Sequence, residues 1–262
     1  MSILKEIYEY KKEFVRSRKL SNGLDSLIHQ SESYITKGFI SKIENDLLNK
    51  NVSIIGELKK ASPSAGVIFN DENEYYNIAS TYEDNGISCL SILTDEKFFK
   101  GNDNDLKIIR SKVKIPIIRK DFIVDRYQLF ESKMLGADCI LIILAMLSKS
   151  EALEIEEEAI SIGLDVLIET HNMSEMDIAI NMKSKLIGIN NRDLKDFSVD
   201  INNSIDLTSN PIDGKIYVSE SGIKTSNEVS FIKNNSVIRT FLIGESLMRS
   251  NKLEEQIRTL LR

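Results

Sequence analysis

Short β-branched runs alternate with longer stretches of helical period along almost the whole chain, the pattern expected of a parallel sheet built from βα units. The strand-like runs are Ser53–Lys59, Ser88–Leu93, Ile117–Lys120, Cys139–Leu144, Asp165–Glu169, Leu186–Asn190, Lys215–Glu220 and Thr240–Ile243. Between and after them the period predicts helices over Asn73–Asn85, Asp103–Lys112, Arg126–Leu135, Lys149–Ile162, Met173–Met182, Ser204–Thr208, Ser226–Asn234 and Leu253–Leu261. Gly86, Gly136 and Gly163 stand where helices stop. Strand starts are spaced from 21 residues (Asp165 to Leu186) to 35 residues (Ser53 to Ser88), room for one βα unit each. Eight such units predict a closed (βα)8 barrel of the TIM type, an α/β fold; an open doubly wound sheet is the rival. Residues 1–50 are helical by period and too many for a simple tail. They are expected to form an N-terminal helical extension, packed against one end of a barrel spanning 51–262, the whole being a single domain.

Strand parity then directs particular side chains inward. In Ser53–Lys59, a period of two puts Ile55, Glu57 and Lys59 on one face and Ile54, Gly56 and Leu58 on the other. The second set suits an interface with helices, so Glu57 and Lys59 are expected in the barrel mouth. By the same reasoning Lys120, Glu169 and Asn190 end the inward faces of their strands. Barrels of this kind carry their active sites at the C-terminal ends of strands. Charges that merely mark where a strand reaches solvent explain any one of these, but poorly explain two lysines and two glutamates converging. Partial burial there invites tuning: desolvation and a neighbouring cation both favour a neutral lysine.

Composition narrows the field. The chain has 262 residues, 42% of them hydrophobic and 28% charged, and a net charge of −6, which argues against a nucleic-acid binder. Cys89 and Cys139 lie inside apolar runs without redox or metal-site spacing and read as buried, reduced thiols of a cytoplasmic protein. The opening segment is amphipathic and charged, unlike a signal peptide. The longest apolar run, Cys139–Leu147, is far too short for a membrane span. No metal is expected: His29 and His171 lack ligand spacing, His29 reading as exposed and His171 as an outer neighbour of Glu169 or a surface group.

Two glycine-bearing turns follow the last two strands, Ser219-Glu220-Ser221-Gly222-Ile223 and Leu242-Ile243-Gly244-Glu245-Ser246. Loops in these two places commonly hold a phosphate, because glycine lets backbone N–H groups approach an anion and a helix start adds a favourable partial charge. Ser62 and Ser64 are positioned to add hydroxyls from the first loop.

These residues resemble those of a known family. The run Ile55-Gly56-Glu57-Leu58-Lys59-Lys60-Ala61-Ser62-Pro63-Ser64 resembles the E-x-K-x-x-S-P-S motif of indole-3-glycerol phosphate synthases. So do Leu93–Phe99, Arg119–Ile123, Gly188–Leu194, Ser219–Ile223 and Gly244–Arg249, in the right order and spacing from first helix to last. Ala65 departs from the pattern, many members having a lysine there. The length is expected to leave no room for the isomerase domain fused to this enzyme in some organisms.

The resemblance implies a carboxy-lyase of tryptophan biosynthesis that acts on 1-(2-carboxyphenylamino)-1-deoxyribulose 5-phosphate. It implies Lys120 as general acid for ring closure and Glu169 as base in later proton transfers. Lys59 holds the carboxylate and is available as acid for departing hydroxide, with Glu57 orienting it. Asn190, Arg192 and Glu220 position the substrate; Phe99 and Phe122 hold its ring; Ser62, Ser221, Gly222, Gly244 and the backbone of Glu245 surround the phosphate. No cofactor is implied, since the substrate nitrogen supplies the electron push. The implied partners are the phosphorylated small molecule alone, with neither nucleic acid nor membrane, for a monomer or weak homodimer. Phe99 and Phe122 as plain core aromatics, and Arg192 as a structural partner of Asp193 or Glu169, stay open. So do two rivals: a phosphate-binding barrel isomerase resembling phosphoribosylanthranilate isomerase, which uses an Asp/Cys pair, and a non-catalytic ligand-binding barrel.

Overall fold

The computed structural model describes residues 3–62, 66–69 and 71–262, with the side chains of residues 72 and 73 left aside. Eight parallel strands close on themselves in chain order: β1 (Ser53–Leu58), β2 (Cys89–Leu93), β3 (Ile117–Lys120), β4 (Cys139–Ile143), β5 (Asp165–Thr170), β6 (Leu186–Asn190), β7 (Ile216–Glu220) and β8 (Thr240–Ile243). β8 returns to β1 in the register Ser53↔Thr240 and Gly56↔Ile243, which completes the (βα)8 TIM barrel. Three strands coincide with their predicted limits, and the other five differ by one residue at one end.

Period-two alternation separates two cores. Ile55, Cys89, Ile118, Leu141, Leu167, Leu186, Val218 and Leu242 fill the barrel interior. Their sequence neighbours Ile54, Leu90, Ile117, Ile140, Val166, Ile187, Tyr217 and Phe241 pack outward against the helices. Neither face exposes an unpaired strand edge to water, which is the advantage of closure.

The N-terminal segment departs from expectation. It forms three helices, α1 (Ile3–Ser21), α2 (Leu24–Glu32) and α3 (Phe39–Asn49), and these do not gather at one end of the barrel. Lys11 of α1 pairs with Asp95 at 2.7 Å and Asp121 at 2.6 Å, just beyond the C-terminal ends of β2 and β3. α2 packs on the side of the barrel, where Leu27 meets Tyr127 and Phe130. Ahead of α3 the backbone N–H of Lys37 donates to Asp138, and in its first turn that of Ile40 donates to Asp165, at the N-terminal starts of β4 and β5. Phe39 and Ile43 then cover the lower end of the inner core. Polar anchors at both rims, silent in a hydrophobic pattern, explain the difference.

Three small features also escape periodicity: a hairpin pairing Ala61–Ser62 with Gly66–Val67, and the four-residue helices Glu96–Phe99 and Glu245–Met248. Ser64 and Ala65, which the sequence singled out, lie outside the described residues.

Candidate active site

The C-terminal ends of the strands surround one cavity of about 980 Å³. Glu57, Lys59, Ser62, Phe99, Lys120, Phe122, Glu169, Asn190, Arg192, Glu220, Ser221, Gly222, Gly244 and Glu245 all line it, so of the residues expected at the site all but Ser64, outside the described residues, border the same hollow. β1 ends one residue earlier than expected, at Leu58, yet Lys59 still turns inward and its Nζ lies 2.7 Å from Oε1 of Glu57.

Lys120 is the hub of the charged group. Its Nζ stands 2.5 Å from Oε2 of Glu220 and 3.6 Å from Oε2 of Glu169. Burial by itself lowers a lysine pKa and favours the neutral form, but here Glu220, Glu169 and Glu57 together outweigh burial and hold Lys120 charged, its pKa above the ordinary value. Burial likewise opposes ionisation of Glu57, but Lys59 and Lys120 overcome it and lower its pKa. Glu169 is also lowered, against burial, with His171 the first contributor, then Lys120 and Asn190. Glu220 is raised, by burial first and by the nearby negative charge of Glu169 and Glu57, with Lys120 opposing. One lysine thus faces carboxylates of unequal proton affinity.

Asn190 ties three strands together. Its Nδ2 donates to Oε1 of Glu169 at 3.1 Å, while its Oδ1 accepts from the Ser221 hydroxyl at 2.9 Å and the Arg192 N–H at 3.1 Å. The guanidinium of Arg192 donates to the Phe197 carbonyl rather than pairing with Asp193 or Glu169. Phe99 and Phe122 stand 6.0 Å apart between ring centres on the wall formed after β2 and β3, with Phe98 edge-on to Phe122. Phe122 is 9% exposed, and both rings border the cavity as well as the core.

On the other side, the turns after β7 and β8 meet each other. The Ser246 hydroxyl donates to the Ile223 carbonyl at 3.0 Å, joining the two loops. Ser221 and Gly222 both take positive φ (66° and 82°), and both border the cavity. The Glu245 carboxylate pairs with Arg249, and both residues border the cavity.

Several contributors were invisible in the sequence. Ile3, Leu4 and Ile7 of α1 line the cavity. Arg119 points outward from β3 and is 2% exposed, yet it binds Asp103 and Glu131 at 2.8 Å and Asp121 at 3.2 Å, bracing the segment after Lys120. Arg18 of α1 joins the same network through Asp103 and Glu131. Gly188 leaves the space Glu220 occupies: an added Cβ would stand 2.1 Å from Oε1 of Glu220. Inward parity and charge counting flagged none of these, because each acts through a partner far away in the chain. Among the described residues there is no group of three His, Cys, Asp or Glu side chains placed to hold a metal ion, and no helix long and apolar enough to cross a membrane.

Comparison with known proteins agrees with this geometry. The indole-3-glycerol phosphate synthase family profile matches residues 4–260. The chain belongs to the indole-3-glycerol phosphate synthase family. An indole-3-glycerol phosphate synthase from Azospirillum brasilense is 41% identical over 260 residues, covering 99% of this chain and 98% of its own length. One from Clostridium kluyveri is 42% identical over 247 residues, covering 94% and 93%. Among solved structures, tryptophan synthase subunit alpha from Legionella pneumophila superposes with a TM-score of 0.61 at 12% identity, over 86% of this chain and 97% of its own. Thiamine phosphate pyrophosphorylase from Pyrococcus furiosus does so with a TM-score of 0.59 at 10% identity, over 81% and 95%. At such identities these two share the barrel and nothing more specific.

Proposed function

We propose that this cavity converts 1-(2-carboxyphenylamino)-1-deoxyribulose 5-phosphate into indole-3-glycerol phosphate, CO2 and water, the step this family contributes to tryptophan biosynthesis. The observation that carries the reading is the gathering of Lys59, Lys120, Glu57, Glu169 and Glu220 around one hollow, with an aromatic wall on one side and paired glycine turns on the other. That layout matches a substrate with an aromatic ring at one end and a phosphate at the other.

The assigned steps follow from position. Phe99 and Phe122 hold the ring, and Lys59 attracts its carboxylate while Glu57 fixes the ammonium. The ring carbon bearing the carboxylate attacks the ketone carbon, and the C–C bond forms as the carbonyl π electrons move to oxygen. Lys120 stabilises the developing alkoxide and gives it a proton. The carboxylate then leaves as CO2, its bonding electrons restoring the aromatic ring. The new hydroxyl departs as water with a proton from Lys59, assisted by the nitrogen lone pair, and Glu169 takes the proton from the neighbouring carbon as the pyrrole double bond forms. Asn190, Arg192 and Glu220 position these groups. Ser62, Ser221, Gly222, Gly244 and the Glu245 N–H surround the phosphate, where backbone donors suit an anion.

The isomerase alternative loses support because Cys89 and Cys139 are buried in the barrel interior, away from the cavity wall, with both thiols pushed well above the ordinary range by burial. We read residues 1–50 and the barrel as one catalytic unit working in the cytoplasm, as a monomer or weak homodimer and without a cofactor. Incubating the purified chain with the carboxyphenylamino substrate tests the function. Equal amounts of CO2 and an indole-fluorescent product are expected; turnover of phosphoribosylanthranilate without CO2 release would replace this reading with the isomerase.

A further inference from the structure

His171 follows β5 immediately and opens the turn into the helix Met173–Ala179. Its backbone N–H donates to Oε2 of Glu175 at 2.7 Å, and its Nδ1 lies 3.2 Å from that same oxygen. Glu175 cannot swing away, since Asn172 Nδ2 donates to its other oxygen at 2.6 Å. On the far side of the ring, Nε2 lies 3.3 Å from Oε1 of Glu169, an ion-pair distance, and makes no hydrogen bond among the described residues. The side chain is only 10% exposed.

A ring with a carboxylate oxygen at each nitrogen has one sensible charge state. Neutral imidazole carries a single N–H, so one nitrogen would turn its lone pair toward a carboxylate. Imidazolium places a positive charge beside both carboxylates. We propose that His171 is a protonated positioning residue, clamped between Glu175 and Glu169, that keeps Glu169 ionised with Oε2 turned toward Lys120 and the cavity. The inference deepens the proposed function and rests on its assignment of Glu169 as the base.

The charges around the pair support it. Oε1 of Glu169 takes both Asn190 Nδ2 and His171, which leaves Oε2 as the oxygen 3.6 Å from Lys120. Glu169 and Glu220 share Lys120, and of the two Glu169 also has the His171 ring, at 3.3 Å. That asymmetry decides which of the two carboxylates stays ionised, and agrees with the opposite directions in which their pKa values move. Burial lowers the pKa of His171, yet Glu169 and Glu175 bring it up to about 10. The groups facing the ring are Glu169 from β5 and Glu175 from the following helix. Lys120 lies beyond Glu169, and Asn203 reaches His171 at its backbone carbonyl, at 3.4 Å.

Two measurements test the clamp. The chain has only two histidines, so nitrogen NMR of the wild type, assigned with a His29→Gln variant, reads the His171 ring directly. Both ring nitrogens are expected protonated at pH 8; a neutral ring would overturn the proposal whether or not the enzyme is active. The second measurement is the pH profile of kcat. In His171→Gln the acid limb should move up by roughly one to three pH units, the effect of removing an opposite charge from a carboxylate, while KM changes little. In Glu175→Gln the ring loses its second anion, so nitrogen NMR should show His171 giving up a ring proton at lower pH than in the wild type. An unaltered kcat profile in His171→Gln together with an unaltered His171 titration in Glu175→Gln, measured on folded protein, would overturn the clamp. Failure of the wild type to release CO2 would sink the reading of Glu169 as base, leaving the NMR result to decide the charge of His171 by itself.

Discussion

Nζ of Lys120 lies 2.5 Å from Oε2 of Glu220, a partner 100 residues further along the chain and on the seventh strand rather than a neighbour of the third. Barrel closure makes that contact, and the contact keeps a buried lysine charged rather than neutral. A charged ammonium meets a ketone oxygen as a donor already bearing its proton, which suits Lys120 to ring closure.

Replacing the acid should therefore separate chemistry from binding. Lys120→Ala is expected to lower kcat by about 100- to 10,000-fold, the usual worth of a general acid, with KM changing far less. Glu169→Gln should fold normally and pass through decarboxylation but stall at loss of water. Single-turnover assays following CO2 and indole separately check both. Near-wild-type kcat in the first variant, or matched CO2 and indole yields in the second, would count against the roles assigned.

Gly188→Ala tests the Lys120–Glu220 contact without touching either residue. The added methyl falls 2.1 Å from Oε1 of Glu220 and 3.3 Å from Leu167, so the carboxylate must leave its place. A stability loss of about 1–3 kcal/mol is expected for such overpacking, with a fall in kcat beyond what the folded fraction explains. Urea unfolding and kcat measured together check this.

Gly222→Ala addresses the phosphate end. Gly222 has φ +82°, and a Cβ there would lie 2.7 Å from Val199 and 3.0 Å from Ile201. The loop must shift, so KM should rise by about tenfold or more with kcat little changed, as when binding common to ground and transition states is lost. Inorganic phosphate should also become a weaker competitive inhibitor. Unchanged inhibition by phosphate would move the anion site elsewhere.

Stability should carry the mark of His171. Folding raises its pKa from 6.5 to about 10, since its carboxylate partners overcome burial. A group raised in this way stabilises fully below its unfolded pKa and loses that contribution as pH climbs through the folded value. The urea midpoint of His171→Gln should thus fall below that of wild type at pH 6, with the gap narrowing above neutrality and closing near pH 10.5. A constant gap across that range would mean that the lost contribution was packing rather than charge.

The sequence made part of this site readable for a definite physical reason. Alternation in a strand fixes which face a residue takes, so Glu57, Lys120, Glu169 and Asn190 could be aimed into the mouth from parity alone. The inner and outer cores, Ile55 against Ile54 or Leu167 against Val166, follow the same rule. Parity fixes direction but not counter-charge. Parity could not show what keeps Lys120 charged, because the placement of Glu220 and Glu169 beside it is set by closure. His171 read as an outer or surface group for a similar reason: its meaning lies in Glu175, one helical turn on, and in the bend that brings both to Glu169. The placing of α1 over the mouth rests on Lys11 reaching Asp95 and Asp121, polar contacts that no hydrophobic period encodes. The helix expected over Met173–Met182 stops at Ala179, where residues 180–183 run on as a turn and bend.

The most direct test is a crystal structure with the substrate analogue whose ketone is reduced to an alcohol, which binds but cannot cyclise. Nζ of Lys120 should lie about 3 Å from the alcohol oxygen, within hydrogen-bond reach, with the aromatic ring beside Phe122 and the phosphate between the Gly222 and Gly244 turns. An analogue bound in the reverse sense, or an alcohol oxygen out of reach of Lys120, would contradict the account.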